Sequence, residues 1–164
     1  MKKLCLFFVI TAAVLTACQQ KPVNVSVDIE AEKAAIDSLF DKFIEAFNAQ
    51  DVTTLVSYLT DDALCMGTDP SEFWNKQQIT DIWSQMLADT VPVMDFFDEQ
   101  VIKVAADGHS ATAVQQYMMP DVTLLPWRNT YHLIKKDGHW MIFAFSCGFI
   151  PKNEELPKIN EALK

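Results

Sequence analysis

The sequence predicts an α+β domain, helices first and an antiparallel strand meander after them. Three observations lead to it. Apolar residues recur at three- and four-residue steps over the first part of the chain beyond residue 28. From about residue 94 the segments become rich in Val, Ile, Phe, Tyr and Trp. Two Asp-Gly pairs, Asp107-Gly108 and Asp137-Gly138, separate consecutive strand-like segments as hairpin turns do. Helices followed by strands is the order of an α+β arrangement, not of alternating βαβ units.

The chain begins with a basic stretch, Met1-Lys2-Lys3, followed by an apolar run from Leu4 to Leu15 and the small residues Thr16-Ala17 before Cys18. That is the layout of a secretory signal, and the run falls short of the roughly 20 residues a spanning helix needs. Leu15-Thr16-Ala17-Cys18 resembles the bacterial lipobox. The resemblance implies a signal peptide over 1–17, a lipidated Cys18 and a polar tether over 18–28 that includes Pro22. It also implies a place in the bacterial cell envelope with the lipid bilayer as partner. Gln19, rather than Asp, after the cysteine favours the outer membrane where the cell has two.

About 135 residues remain, enough for one domain with its own core. The net charge of −9 becomes −11 once Lys2 and Lys3 leave with the signal. An acidic surface with no run of Lys or Arg is a poor nucleic-acid binder, and it does not favour a strongly anionic substrate. Of four cysteines, Cys65 and Cys147 stay in the domain; they read either as buried free thiols or as a pair. No Cys-x-x-Cys or Cys/His cluster marks a metal site, and no motif calls for a cofactor.

The first helix is expected over 29–49, with Ile36, Leu39, Phe40, Phe43, Ile44 and Phe47 on one face and Lys33, Asp37, Asp41, Lys42 and Glu45 toward water. Asn48-Ala49-Gln50 breaks it, and Asp51 caps a short second helix carrying Leu55, Val56 and Leu59. Ala63 to Met66 reads as a buried strand closed by Gly67-Thr68-Asp69-Pro70. A third helix from about Asn75 to Ala88 gathers Ile79, Ile82, Trp83, Met86 and Leu87. Strands are expected near 94–105, 110–119, 127–136 and 139–149, the first two and the last two being antiparallel neighbours. The tail, 151–164, has apolar spacing for one or two helical turns and is expected to cap the domain.

Phe43-Ile44-Glu45-Ala46-Phe47-Asn48-Ala49-Gln50-Asp51, then Tyr58-Leu59-Thr60-Asp61-Asp62-Ala63, then Asp137-Gly138-His139-Trp140-Met141-Ile142 resemble, in that order, the nuclear transport factor 2-like superfamily. The likeness is to its SnoaL-like and ketosteroid-isomerase-related branch and covers roughly residues 30–150, so 29–150 is read as a SnoaL-like domain. The resemblance implies a cone: three N-terminal helices on a strongly curved, mainly antiparallel sheet, with a pocket against the concave face. It also implies a homodimer through the outer sheet face. Function does not follow from such a fold, which hosts enzymes, binding modules and assembly domains.

The isomerase chemistry of those relatives needs an oxyanion-binding tyrosine and a general-base aspartate. Carried over, the tyrosine position is Phe43 and the base position Gly67, so classical ketosteroid isomerisation is disfavoured; a two-residue insertion would bring Asp69 into the role. His109 and His139 follow Asp-Gly turns and read as exposed. His132, in mid-strand, is a candidate acid, base or orienting group if its face is concave, and Tyr117 and Tyr131 are candidate donors. Catalytic candidates are thus His132, Asp69 and Tyr117. Phe43, Phe47, Met66, Trp83, Tyr117, Trp127, His132 and Phe143 form the expected ligand-binding set, the plain alternative being that large residues simply fill a cone-shaped core. The chain is therefore expected to bind a small apolar ligand or a partner protein. The alternative is acid/base enzymology on a small hydrophobic carbonyl compound.

Overall fold

A computed structural model of the chain describes residues 27–97 and 100–164. Cys18, the signal segment 1–17 and most of the tether 18–28 lie outside the described residues. Helix α1 spans Ile29–Asn48, α2 Val52–Ser57 and α3 Lys76–Met86. Strands are β1 Leu59–Met66, β2 Phe73–Trp74, β3 Asp95–Phe96, β4 Val101–Val104, β5 Ser110–Met119, β6 Thr123–Lys136 and β7 His139–Phe149. A 3₁₀ turn, Asn153–Glu155, and α4, Leu156–Ala162, follow. Leu59, expected on the second helix, instead opens β1, since α2 ends at Ser57.

Helices α1, α2 and α3 each begin where a short polar side chain satisfies free amides. Asp28 accepts from the Ala31 amide at 3.1 Å and Asp51 from the Thr54 amide at 3.0 Å. Asn75 and Gln78 cap α3 reciprocally. Helix α1 ends as Gln50 takes a positive φ of 58° and its side-chain amide donates to the Leu87 carbonyl at 2.7 Å, tying α1 to the end of α3.

The sheet order is β2-β1-β7-β6-β5-β3, with β4 also on β5. Both expected hairpins form: β4 with β5, and β6 with β7, are antiparallel. At the second, Asp137 and Gly138 both take positive φ, 52° and 82°, which a two-residue turn of this hand requires. Three features differ from expectation. Segment 94–105 divides into β3 and β4, which pair with different stretches of β5. Strand β6 starts at Thr123, so it carries Pro126 inside; the proline sits where the β5–β6 register shifts, and a missing amide is tolerated there. Strand β1 pairs parallel with β7, a contact between the two ends of the domain that no local turn could announce.

Register shifts interrupt β1–β7, β5–β6 and β6–β7, and such bulges bend a sheet. The curved inner face receives α1 through Ile36, Leu39, Phe40, Phe43 and Phe47. Leu133, Ile142 and Trp140 meet them from β6 and β7, while Ala111 and Ala113 keep β5 thin beneath the helices. Glu32 fixes the front of α1: Lys135 Nζ donates to it at 2.6 Å and Trp140 Nε1 at 2.8 Å. Val27, just ahead of the helix, lies against Gly108. Both contacts are at the hairpin end of the sheet.

The tail departs from its expected role. Helix α4 forms, but among the described residues it buries none of its own side chains and packs on no element except the preceding 3₁₀ turn. Leu156 and Leu163 remain 44% and 80% exposed, too few apolar contacts to act as a cap.

Candidate functional site

The inner face of β6 reads Trp127, Asn129, Tyr131, Leu133, every second residue, as strand geometry dictates. Leu133 is in the closed core, whereas the other three line a cavity of about 250 Å³ at the Thr123 end of the strand. Helix α1 contributes Phe43, Ile44 and Phe47, and α3 contributes Ile79, Ile82, Trp83 and Met86. Tyr117 and Met119 of β5, Phe145 and Cys147 of β7 and the β1–β2 connection with Gly67, Thr68 and Glu72 complete it. Thr68, Met86 and Phe96, the most exposed of the lining residues, mark its mouth.

Aromatic contacts hold the walls. Trp83 lies edge-on to Phe43 at 5.9 Å and stacks on Phe145 at 6.0 Å. Tyr117 stacks on Trp127 at 6.2 Å, its cross-strand partner in the β5–β6 register.

The polar groups form a row on the sheet wall. The Tyr117 hydroxyl donates to Asn129 Oδ1 at 3.1 Å, and Asn129 Nδ2 donates to the Tyr131 hydroxyl at 2.9 Å. Burial raises the pKa of both phenols, Tyr131 to about 12, so both stay neutral and able to donate at ordinary pH. The Cys147 thiol donates to the Met66 carbonyl at 3.6 Å. Burial, and then the negative charge of Glu72, push that thiol up, leaving it a poor nucleophile. Cys65 is buried and pushed up to about 12 by burial; both cysteines are free.

Glu72 sits close over Gly67. A Cβ on Gly67 would run into the Glu72 carboxylate and the Trp74 ring, so only glycine lets them approach. The Gly67 amide donates to the Glu72 carbonyl at 3.1 Å, and Glu72 Oε2 accepts from the Asp69 amide at 2.9 Å.

Of the expected ligand-binding residues, Phe43, Phe47, Trp83, Tyr117 and Trp127 line this cavity together. Three do not. His132 is exposed on the outer face, its ring 5.8 Å from that of Phe143, which shares that face. His132 faces out because it alternates with the inward Tyr131 and Leu133, whereas on β7 a bulge at the register shift between His132 and Leu133 leaves Phe143 outward between the inward Ile142 and Phe145. Met66 alternates with the buried Cys65 and so faces away from the hollow.

Among the catalytic candidates only Tyr117 reaches the cavity. Asp69 is exposed in the turn, where the Ser71 hydroxyl and amide donate to it and hold its pKa below the usual carboxylate range. Phe43 and Gly67, at the positions of the isomerase tyrosine and base, do line the hollow. Sequence reasoning missed Asn129, Glu72 and Cys147 as lining residues. Asn129 was signalled by its two-residue spacing from Trp127 and Tyr131; Glu72, in a loop, had no periodic signal.

The sequence pattern of the SnoaL-like domain matches residues 36–146. No curated protein matches the chain. Among solved structures, an NTF2-like protein of unknown function from Pseudomonas putida aligns with TM-score 0.63 and 17% identity over 76% of this chain and 91% of that one. An uncharacterized protein with a cystatin-like fold from Caulobacter vibrioides aligns with TM-score 0.63 and 16% identity, covering 82% and 99%. An NTF2-like protein from Cytophaga hutchinsonii gives TM-score 0.60 and 19% identity over 72% and 98%. At such identities these structures speak for the fold, and the matched pattern speaks for the family. The chain belongs to the SnoaL-like domain family, and its fold is that of the NTF2-like and cystatin-like structures with which it aligns.

Proposed function

We propose that the chain is an exported lipoprotein, anchored through Cys18, whose SnoaL-like domain binds a small, largely apolar molecule in the cone cavity. The observation that carries the binding half is the cavity's make-up: Phe, Trp, Ile and Met walls with one hydrogen-bonded Tyr117–Asn129–Tyr131 row. Few, placed polar groups in an apolar hollow are what small-molecule sites present. A volume near 250 Å³ equals roughly eight waters and suits a ligand of about a dozen heavy atoms. Native mass spectrometry of the protein from its own host tests this, with an adduct of small mass expected on the folded domain. Unliganded protein, together with no uptake from a panel of aromatic compounds, would sink the binding half. Palmitate labelling that survives in wild type and is lost in Cys18→Ala tests the anchor.

A second reading, acid/base chemistry on a small hydrophobic carbonyl compound, has one specific support: neutral Tyr117 and Tyr131 and the Glu72 carboxylate face a single cavity. In that reading the Tyr131 phenol, held by Asn129, donates to a developing oxyanion and Glu72 takes a proton. The outer sheet face, with Leu64, His132 and Phe143, is proposed as the surface of a homodimer. Sedimentation equilibrium that gives a monomer mass would remove that proposal.

A further inference from the structure

Glu72 is the one charged side chain among the described residues that line the cavity. It comes from the β1–β2 connection, where its carboxylate and the Trp74 ring close over Gly67, which lines the same hollow. Its Oε2 accepts from the Asp69 amide at 2.9 Å, whereas Oε1 accepts from nothing among the described residues. Oε1 is also open to water: the buried side-chain atoms left without a partner are Thr60 Oγ1, Gln115 Oε1 and Trp127 Nε1, and Glu72 is not one of them. No cation answers the charge. The ion pairs of the described residues are Lys33–Glu30, Lys76–Asp61 and Lys135–Glu32. Arg128 stands between Trp127 and Asn129 of the cavity wall, but strand alternation turns it outward and it is exposed. A carboxylate beside apolar walls loses hydration that only a partner charge offsets.

Aromatic rings, those of Phe43, Trp74 and Trp83 among them, surround the same space. Such rings attract organic cations. Fewer than three metal-ligating side chains meet there among the described residues, too few to replace the water around a metal ion. We infer that the cavity takes an organic ammonium ion, whose N–H group donates to Glu72 Oε1 and whose hydrocarbon body lies among the aromatic walls. A neutral molecule of the same shape fills the space but leaves the carboxylate without a counter-charge. An anion meets the charge of Glu72 where little water screens it. The net charge of −9 works in the same direction, drawing cations to the protein and repelling anions.

This inference rests on the cavity being a binding site, and the test separates the two. The full chain bearing Cys18→Ser is dialysed to equilibrium at neutral pH against 3-phenylpropylamine, 3-phenylpropan-1-ol and 3-phenylpropanoate, three probes of similar shape that differ in charge. The amine is expected to bind at least roughly tenfold more tightly than either of the others. In Glu72→Gln, which keeps the shape but loses the charge, the gap between amine and alcohol is expected to close while the alcohol binds as before. In Asp69→Asn, which removes an exposed carboxylate from the same turn, the gap is expected to persist. Equal binding of amine and alcohol to wild type, a comparison that needs no variant to fold, overturns the inference and leaves the binding function in place. So does a gap that survives in Glu72→Gln or closes in Asp69→Asn, or propanoate bound as tightly as the amine. No binding of any probe to wild type overturns the binding function itself.

Discussion

Gly67 shows how a single hydrogen atom sets the shape of the site. With no side chain it lets the Glu72 carboxylate and the Trp74 ring close over it. Gly67→Ala is expected to destabilise the domain by about 1–3 kcal/mol, the usual cost of forcing atoms into occupied space. Urea unfolding measures it, with Gly148→Ala as control, because a methyl there meets nothing within 4 Å. Tyr117 and Tyr131 make a different prediction. Burial raises both above the ordinary phenol value of 10.0, so above about pH 10 the unfolded chain ionises while the folded one does not. Stability is therefore expected to fall as pH rises from there, and absorbance near 295 nm at about pH 11 should show both still protonated in the folded protein. At this scale the sequence was half legible. Phe43, Phe47 and Trp83 could be placed because helical spacing fixes a face over many residues. His132 could not, because alternation along a strand does not say which of its two faces is the concave one, and Phe143 could not, because a bulge in β7 changes which side chains look inward.

At the scale of elements, caps and turn residues carry much of the information. Asn75 begins α3, and Asn75→Ala is expected to cost about 1 kcal/mol, read from thermal unfolding. Glu32 joins α1 to the last hairpin. Hydrogen bonds from Lys135 and then Trp140 hold its pKa below the ordinary carboxylate value of 4.5. The stabilisation it supplies is therefore complete above pH 4.5 and is lost as pH falls through the lowered folded value. Glu32→Gln should lower stability near neutral pH and flatten its decline in acid; an unchanged acid limb would show that another carboxylate is responsible. These elements were readable because each has a local cause, an Asp or Asn at a start or an Asp-Gly pair between strands. The parallel β1–β7 pairing has no local cause, and neither has the division between β3 and β4, so both had to come from the fold.

For the whole molecule, the tail and the cavity make opposite predictions. Because α4 rests, among the described residues, on nothing but its own 3₁₀ turn, deleting residues 153–164 is expected to leave the midpoint of thermal unfolding unchanged. Leu133→Ala, at a fully buried position between α1 and the sheet, is expected to cost about 3 kcal/mol. The two variants together test whether the core ends where the sheet does. The α+β class was plain from the order of patterns, since helices that expose an apolar face need a sheet to cover.

The entry point of the chain into the domain has a directional consequence. Val27 and Glu32 are held at the pole formed by the Gly108 and Gly138 turns, while the hollow occupies the opposite pole, near Met119 and Thr123. From Cys18 to Val27 the backbone reaches roughly 32 Å at full stretch, whereas the fourteen residues of β6 measure roughly 43 Å along the strand. A molecule moored through that leash would stand with its opening turned outward, toward water. Its guests would then arrive from the fluid beyond the bilayer rather than from among the acyl chains beneath it.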